Sequence, residues 1–177
     1  RKADGLIHVV RAFENPRIPH PKGKINLRED IAFMEEELLL SDLLSIEARL
    51  EKLAKDLQKA KDPEAEKEKG LLEQLRPQLE QGKAIREAML SPQEEKLIRS
   101  FAFLSQKPLI HMINIDEKQV PEREKLVELF TPLKKGTDVM TFCGKIENEI
   151  SELENSEKKA FLAEYGLKEL CCRRLFE

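Results

Sequence analysis

The sequence predicts an α/β fold: a partial doubly wound parallel sheet carrying an inserted antiparallel α-helical coiled-coil hairpin. Three observations predict it. Compact apolar runs without helical period occur at residues 5–11, 108–113 and 139–142. Helical stretches separate them, the alternation that builds a parallel sheet. Between the first two runs lies a long leucine-rich segment with a spacing of three and four residues, broken once.

The run at 5–11 is β-branched and continuous, as suits a strand covered on both faces. Residues 14–25 hold three Pro and one Gly and read as an irregular loop. Asn26-Leu27-Arg28-Glu29 has the form of a helix N-cap with a reciprocal Glu. From there Leu43, Ile46, Leu50, Leu53, Leu57 and Ala60 form an a/d seam of coiled-coil spacing. Asp62-Pro63 breaks it, and Ala65, Leu72, Leu75 and Leu79 resume it. So short a break turns the second helix back along the first. The hairpin is expected to be about 30 Å long at 1.5 Å per residue. Pro77 removes one backbone hydrogen bond and predicts a kink or division of the return arm. Gly82 and the capping box Ser91-Pro92-Gln93-Glu94 close the insertion and open a helix over 92–104, with Leu97, Phe101 and Leu104 on its apolar face. Pro121 is expected to open a helix over 121–130, which Gly136 follows. Short helices finish the chain, with Gly166 as a C-cap. Three parallel strands buried on both faces make a small sheet, so a partial fold is expected, continued by further sequence. The first residue is Arg1, not Met, which also predicts sequence upstream.

Charged residues make up 37% of the 177, above the usual share of about 25%, and only one Tyr and no Trp are present. Long solvated helices produce that balance. A net charge of −3 gives no global footprint for DNA or RNA, so any nucleic-acid contact would have to be a local patch. Cys143, Cys171 and Cys172 form no spaced disulfide framework, which predicts a reducing, cytoplasmic setting. Cys171-Cys172 reads as a buried helix pair. No apolar stretch is long enough for a signal peptide or a membrane span. No metal-ligand spacing occurs. His8 and His111 sit on apolar runs and read as packed strand residues, and His20 lies in the Pro-rich loop.

The main site candidate, Asn114-Ile115-Asp116-Glu117, directly follows the second strand. Ligands of doubly wound sheets bind at the carboxyl ends of the strands. There an Asn amide can fix a purine ring, and a carboxylate can accept from ring or exocyclic N–H groups. Read alone, the tetrapeptide is better explained as an Asx turn with exposed acids behind it. The second candidate, Phe142-Cys143-Gly144-Lys145, follows the third strand. Gly144 lets backbone approach a ligand closely, and Lys145 can lie over a ring. Read alone, it too is an ordinary strand-to-helix turn. Two such turns after successive parallel strands would converge on one crevice.

From residues 3–14, 18–23, 28–31 and 37–53 through Lys107-Pro108 to the two turns and 147–153, the chain resembles the central part of the YchF-type, or Obg-like ATPase, family of P-loop NTPases. Order and spacing agree along the whole length. The resemblance implies that residues 1–25 and 105–177 are the C-terminal part of a G domain and that 26–104 are the helical coiled-coil insertion. It implies that Asn114, Ile115 and Glu117 belong to the fourth G-domain motif and that Cys143, Gly144 and Lys145 form the fifth, together binding the base. Ordinary GTPases carry Asn-Lys-x-Asp; here Ile115 stands in the Lys place and Glu117 in the Asp place, as in this family. A longer Glu cannot keep the bidentate pairing of Asp with guanine without moving, so guanine preference should relax. The implied cofactors are ATP or GTP, with Mg²⁺ held in the intact protein by ligands outside this chain. The resemblance also implies a ribosomal partner.

No Gly-x-x-x-x-Gly-Lys-Ser/Thr occurs in the sequence; the nearest fragment, at 80–84, lacks the first Gly and the hydroxyl. That loop cradles phosphates and supplies a Lys and a Mg²⁺ ligand. No Asp-x-x-Gly switch motif occurs either. The resemblance implies that both lie upstream and that a β-rich TGS domain lies downstream, so the 177 residues alone are expected not to hydrolyse nucleotide. The competing reading is a non-enzymatic interaction module, in which the helical arm, with Lys52, Lys55, Lys59, Lys61, Lys67, Lys69 and Arg76, meets a protein or RNA partner. Interspersed acids make those cations equally a solvated surface.

Overall fold

The computed structural model describes residues 3–130 and 135–175. Their order is β1 (Leu6–Arg11), α1 (Leu27–Leu57), α2 (Pro63–Glu80), α3 (Pro92–Ile98), β2 (Leu109–Asn114), α4 (Arg123–Glu128), β3 (Thr137–Phe142), α5 (Gly144–Glu152), α6 (Asn155–Glu164) and α7 (Cys171–Arg174). Among the described residues, 3–6, 32–109 and 135–136 form one compact unit. Residues 7–31, 110–130 and 137–175 form a second.

The strands order as β1-β2-β3. Leu6 N donates to Pro108 O and Ala12 N to Asn114 O, while Leu109 N donates to Gly136 O and Ile115 N to Phe142 O. Both members of each pair rise together along the chain, so all three strands are parallel. In the second unit Ile113, Ile115, Val120, Val139, Cys143, Ile146 and Ile150 are buried together on one face of the sheet. Met112 and Met140 pack with Cys171 of α7 on the other. The central strand is thus covered on both sides, as its unbroken apolar sequence requires. β1 departs from the expectation. Ile7 is 56% and Val9 57% exposed; β1 is an edge strand, and only the face carrying Val10 is covered.

In the first unit α1 and α2 pack through Ile46 and Leu53 against Leu71, Leu72, Leu75 and Leu79, joined by Ile85, Ile98 and Phe103. Arg49 forks onto Glu68, Nε to Oε1 at 2.6 Å and an Nη to Oε2 at 2.7 Å. The spacing reading missed in detail. α1 ends at Leu57, so Ala60 lies beyond the helix and is exposed, while Leu71 joins the contact. Asp62 caps α2 by accepting from Glu64 N and Ala65 N. Pro77 does not divide α2, which runs uninterrupted to Glu80. The missing N–H falls in the last turns, and buried Leu75 and Leu79 on either side hold the helix in place.

Caps behave mostly as the sequence indicates. Asn26 Oδ1 accepts from Glu29 N at 3.3 Å, but the Glu29 carboxylate meets Lys24 at 3.4 Å instead of returning to Asn26. At α3 the box closes both ways, Ser91 N to Glu94 Oε2 and Glu94 N to Ser91 Oγ. α3 is shorter than expected: it tightens to a 3₁₀ turn at Arg99–Phe101, and Ala102 at φ 49° ends it. The helix expected over 121–130 is instead a 3₁₀ turn, Glu117–Glu122, running into α4. Gly166, at φ 62°, terminates α6, its N–H reaching Ala163 O while Leu167 N reaches Leu162 O.

One buried acid that the sequence reading passed over organises the first unit. Asp42, on α1, is fully buried. Its carboxylate accepts from Leu104 N at 2.9 Å and Ser105 N at 2.6 Å. Ser105 Oγ in turn accepts from Ile85 N. Among the described residues no helix is long and apolar enough to cross a membrane.

Candidate functional site

At the carboxyl end of β2 the chain leaves the sheet through Asn114 and turns at Asp116. Asp116 caps the following 3₁₀ turn: its Oδ1 accepts from Lys118 N, and Gln119 Oε1 accepts from Asp116 N at 2.8 Å. Gln119 Nε2 also donates to Ala12 O at 3.1 Å, just past the end of β1. Sequence inspection assigned no role to Asp116 or Gln119, although Asp-x-x-Gln is capping-box spacing. The effect is local: the loop bearing Glu117 is pinned by side chains on both sides.

At the carboxyl end of β3, Phe142 leads into Cys143 and then α5, which starts at Gly144. The two turns lie side by side. Gly144 N donates to Asn114 Oδ1 at 3.1 Å. Lys145 Nζ meets Glu117 Oε2 at 2.9 Å. A Cβ on Gly144 would stand 3.4 Å from Asn114 Oδ1 and 3.5 Å from a Phe142 ring carbon. Those distances are close to ordinary van der Waals contact, so the two turns lie in direct contact at this point.

The six sequence candidates divide by orientation. Asn114, Glu117, Gly144 and Lys145 gather at the surface of these turns. Ile115 and Cys143 turn inward, at 2% and 5% exposure, and pack in the core below. The side chain of Ile115, a base-binding candidate of the fourth motif, is therefore not presented at the surface of the turns. Alternation along the chain leaving β2 puts it in the core, and its N–H is taken by Phe142 O. Burial pushes the Cys143 thiol above its ordinary range, against the backbone N–H groups of Ile146 and Lys145 and with the charges of Glu117 and Asp116 adding to it.

Lys145 is held above the usual lysine range, first by its hydrogen bond to Glu117 and then by that carboxylate's charge. The pair is exposed on the lysine side, 65% against 34% for Glu117, and solvent screens it. Tyr165, which follows α6, is raised by desolvation and by the charge of Glu117. Its ring packs on Phe161 at 5.5 Å between centroids. No sequence signal singled Tyr165 out, because its approach to the turns depends on how α6 folds back.

Chemically, the arrangement offers a side-chain amide with its oxygen already engaged, a carboxylate, a flexible cation and a stretch of backbone without a side chain. A planar heterocycle bearing both acceptors and donors fits such a set. Among the described residues no group of three or more His, Cys, Asp or Glu stands together as metal ligands would. A concavity of about 630 Å³ in the first unit, lined by Arg86, Met89, Glu95, Pro108 and Lys135 among others, contains none of the six candidates.

The remaining candidates resolve plainly. His111 is 1% exposed, and its Nδ1 lies 3.1 Å from His8 Nδ1 across neighbouring strands. His20 meets Asp30 at 3.3 Å. Cys171 is buried, its thiol raised to about 11 by burial first; Cys172 is exposed, which corrects the reading of a buried pair. Several arm cations have acidic partners one turn away, Lys69 with Glu73 and Arg76 with Glu80.

No protein-family model matches the chain. It is 35% identical over 173 residues to the ribosome-binding ATPase YchF of Bacillus subtilis, covering 96% of this chain and 47% of that protein. With the ribosome-binding ATPase YchF of Haemophilus influenzae the identity is 37%, at the same coverage. Obg-like ATPase 1 of Caenorhabditis elegans is 25% identical over 93% of this chain and 43% of its own length. The solved structure of the Schizosaccharomyces pombe YchF GTPase superposes at a TM-score of 0.83 with 22% identity, over 98% of this chain and 48% of that one. The likeness shows the fold. The chain spans about half the length of the curated relatives it matches.

Proposed function

We propose that the chain, similar along nearly its whole length to YchF and Obg-like ATPases, is the purine-binding part of such an NTPase. One observation carries the reading: the bond from Gly144 N to Asn114 Oδ1, at 3.1 Å, locks the two strand-end turns into one surface. With Oδ1 engaged, the Asn114 amide has its N–H₂ to donate, and both adenine and guanine present the N7 acceptor. Glu117 accepts from the exocyclic or ring N–H groups of either purine. Lys145 holds that carboxylate and lays its aliphatic stem beside the ring. Gly144 admits the ring edge to the backbone. Ile115 and Cys143 support the turns from beneath.

The carboxylate is one methylene longer than aspartate and is shared with Lys145, so it is not committed to the guanine edge. This supports use of ATP as well as GTP. In the intact protein the phosphates and Mg²⁺ are held by a phosphate-binding loop in another segment, and hydrolysis takes place there. Ribosome association belongs to the same reading, since the most similar relatives include ribosome-binding ATPases, as does a cytoplasmic location. Residues 26–104 are then the coiled-coil insertion of the G domain, with α1 and α2 as its two arms.

Titration of the chain with fluorescent ATP and GTP analogues tests this directly. Wild type should bind both. Asn114→Ala should lose about tenfold or more in affinity for both, the scale of one lost hydrogen bond with its partner left unpaired. Glu117→Asp should shift preference toward GTP. Equal binding by wild type and Asn114→Ala, with both folded, would remove the claim.

A further inference from the structure

The concavity in the first unit is built around a buried cation. Arg86 lines it, with a side chain 5% exposed. Its position is fixed from three sides. The aliphatic stem lies along Gly136, where an added Cβ would stand 3.2 Å from Arg86 Cδ. One Nη donates to Ser105 O at 3.3 Å, and the other stands 3.6 Å from Glu35 Oε1. Burial holds the guanidinium below the ordinary arginine value, although the charges of Glu35 and Glu87 oppose that shift. Those carboxylates do not offset the cost of burying the charge, so a further anion beside it is favoured. Lys135 is a second cation of the lining and is exposed. Leu90, Pro108 and Met89 supply apolar surface. Met89 is 96% exposed, a flexible apolar side chain left in solvent at the rim.

We propose that this concavity binds a small organic carboxylate with an apolar body. Its volume, about 630 Å³, falls among small-molecule sites, which hold roughly 300–1,000 Å³. A guanidinium and an ammonium recognise carboxylate and phosphate alike. The balance of charge decides between the two. The cost of desolvating an ion rises with the square of its charge, while its attraction to fixed cations rises only in proportion. Exposed Glu95 stands in the same lining and opposes any anion. A monoanionic carboxylate is therefore favoured over a dianionic phosphate monoester, and an ammonium of the same shape is repelled by Arg86 and Lys135. The apolar body lies against Leu90 and Pro108, and Met89 covers it. None of residues 114–117 or 143–145 lines this concavity, so the proposal does not depend on nucleotide binding.

Octanoate is the probe, titrated into the 177-residue chain below its micellar range and followed by NMR at the Met89 methyl and the Gly136 N–H. Octyl phosphate and octylammonium are the comparisons. Octanoate should shift both signals to saturation at one affinity, octyl phosphate should bind more weakly, and octylammonium should leave both signals in place. Lys135→Glu, at an exposed position, should weaken octanoate binding by about tenfold and Lys135→Gln by about threefold, each with the melting temperature of wild type. Met89→Ser should weaken it by about threefold through lost apolar cover. ATP should leave both signals in place, whether or not it binds the strand-end turns. No shift with octanoate, equal or tighter binding of either comparison compound, an affinity that both Lys135 variants leave unchanged, or displacement of octanoate by ATP would overturn the proposal.

Discussion

Asn114 Oδ1 accepts from the Gly144 N–H, and Glu117 Oε2 accepts from Lys145 Nζ. The side chains that would read a base also build the surface they belong to. Ile115 and Cys143, their neighbours in sequence, have their side chains in the core. Nearby, Glu147 shows a different use of a carboxylate. Its Oε1 accepts from Cys171 N at 2.8 Å, holding the start of α7. Burial raises its pKa above the ordinary carboxylate value, against the opposing effects of that hydrogen bond and of Arg174. A carboxyl raised in the folded state favours folding most fully below the unfolded value near 4.5. That contribution is lost as pH rises through the folded value. Glu147→Gln keeps an acceptor for Cys171 N and carries no charge. Denaturant midpoints at pH 4 and pH 8 should therefore show the variant gaining on wild type at the higher pH. A deficit of the same size at both pH values would contradict this.

At the scale of elements, the long helix α1 is fixed by its apolar side and by the buried Asp42 side chain. The apolar side was legible from the three-and-four spacing of Leu43, Ile46, Leu50 and Leu53. The anchor was not: Asp42 stands among leucines and serines, and nothing in the sequence says that two amides 62 and 63 positions later will close on it. Asp42→Ala leaves the Leu104 and Ser105 amides buried without an acceptor. The expected cost is about 3 kcal/mol, since each unsatisfied buried donor costs about 1–3 kcal/mol. Urea unfolding would measure it, with hydrogen exchange at Ser105 as the local readout; unchanged stability would remove Asp42 from its role. Pro77 shows the opposite error of sequence reading. A proline breaks a helix where its lost bond is needed, and late in α2 buried leucines on both sides outweigh it.

At the scale of the molecule, the parallel strands and the helical pair were legible because strand runs and heptad spacing are long-range patterns that survive local irregularity. The convergence of 114–117 with 143–145 was legible because successive parallel strands must end at the same edge. What escaped was whatever depended on side chains from distant segments: Gln119 reaching Ala12 O, Tyr165 feeling the charge of Glu117, and the uncovered face of β1 at Ile7 and Val9. The family likeness extends over nearly the whole chain but about half of each relative. The proposed base-reading turns lie within the part of those relatives that this chain matches.

Backbone and side-chain amide NMR during titration with ATP, and then GTP, tests that surface most directly. The Gly144 N–H and the Asn114 side-chain amide should move first and saturate together, with Lys145 and Glu117 following at the same apparent affinity and the residues lining the Arg86 concavity still. Shifts centred on that concavity, or none at millimolar nucleotide with the Gly144 signal resolved, would contradict the account.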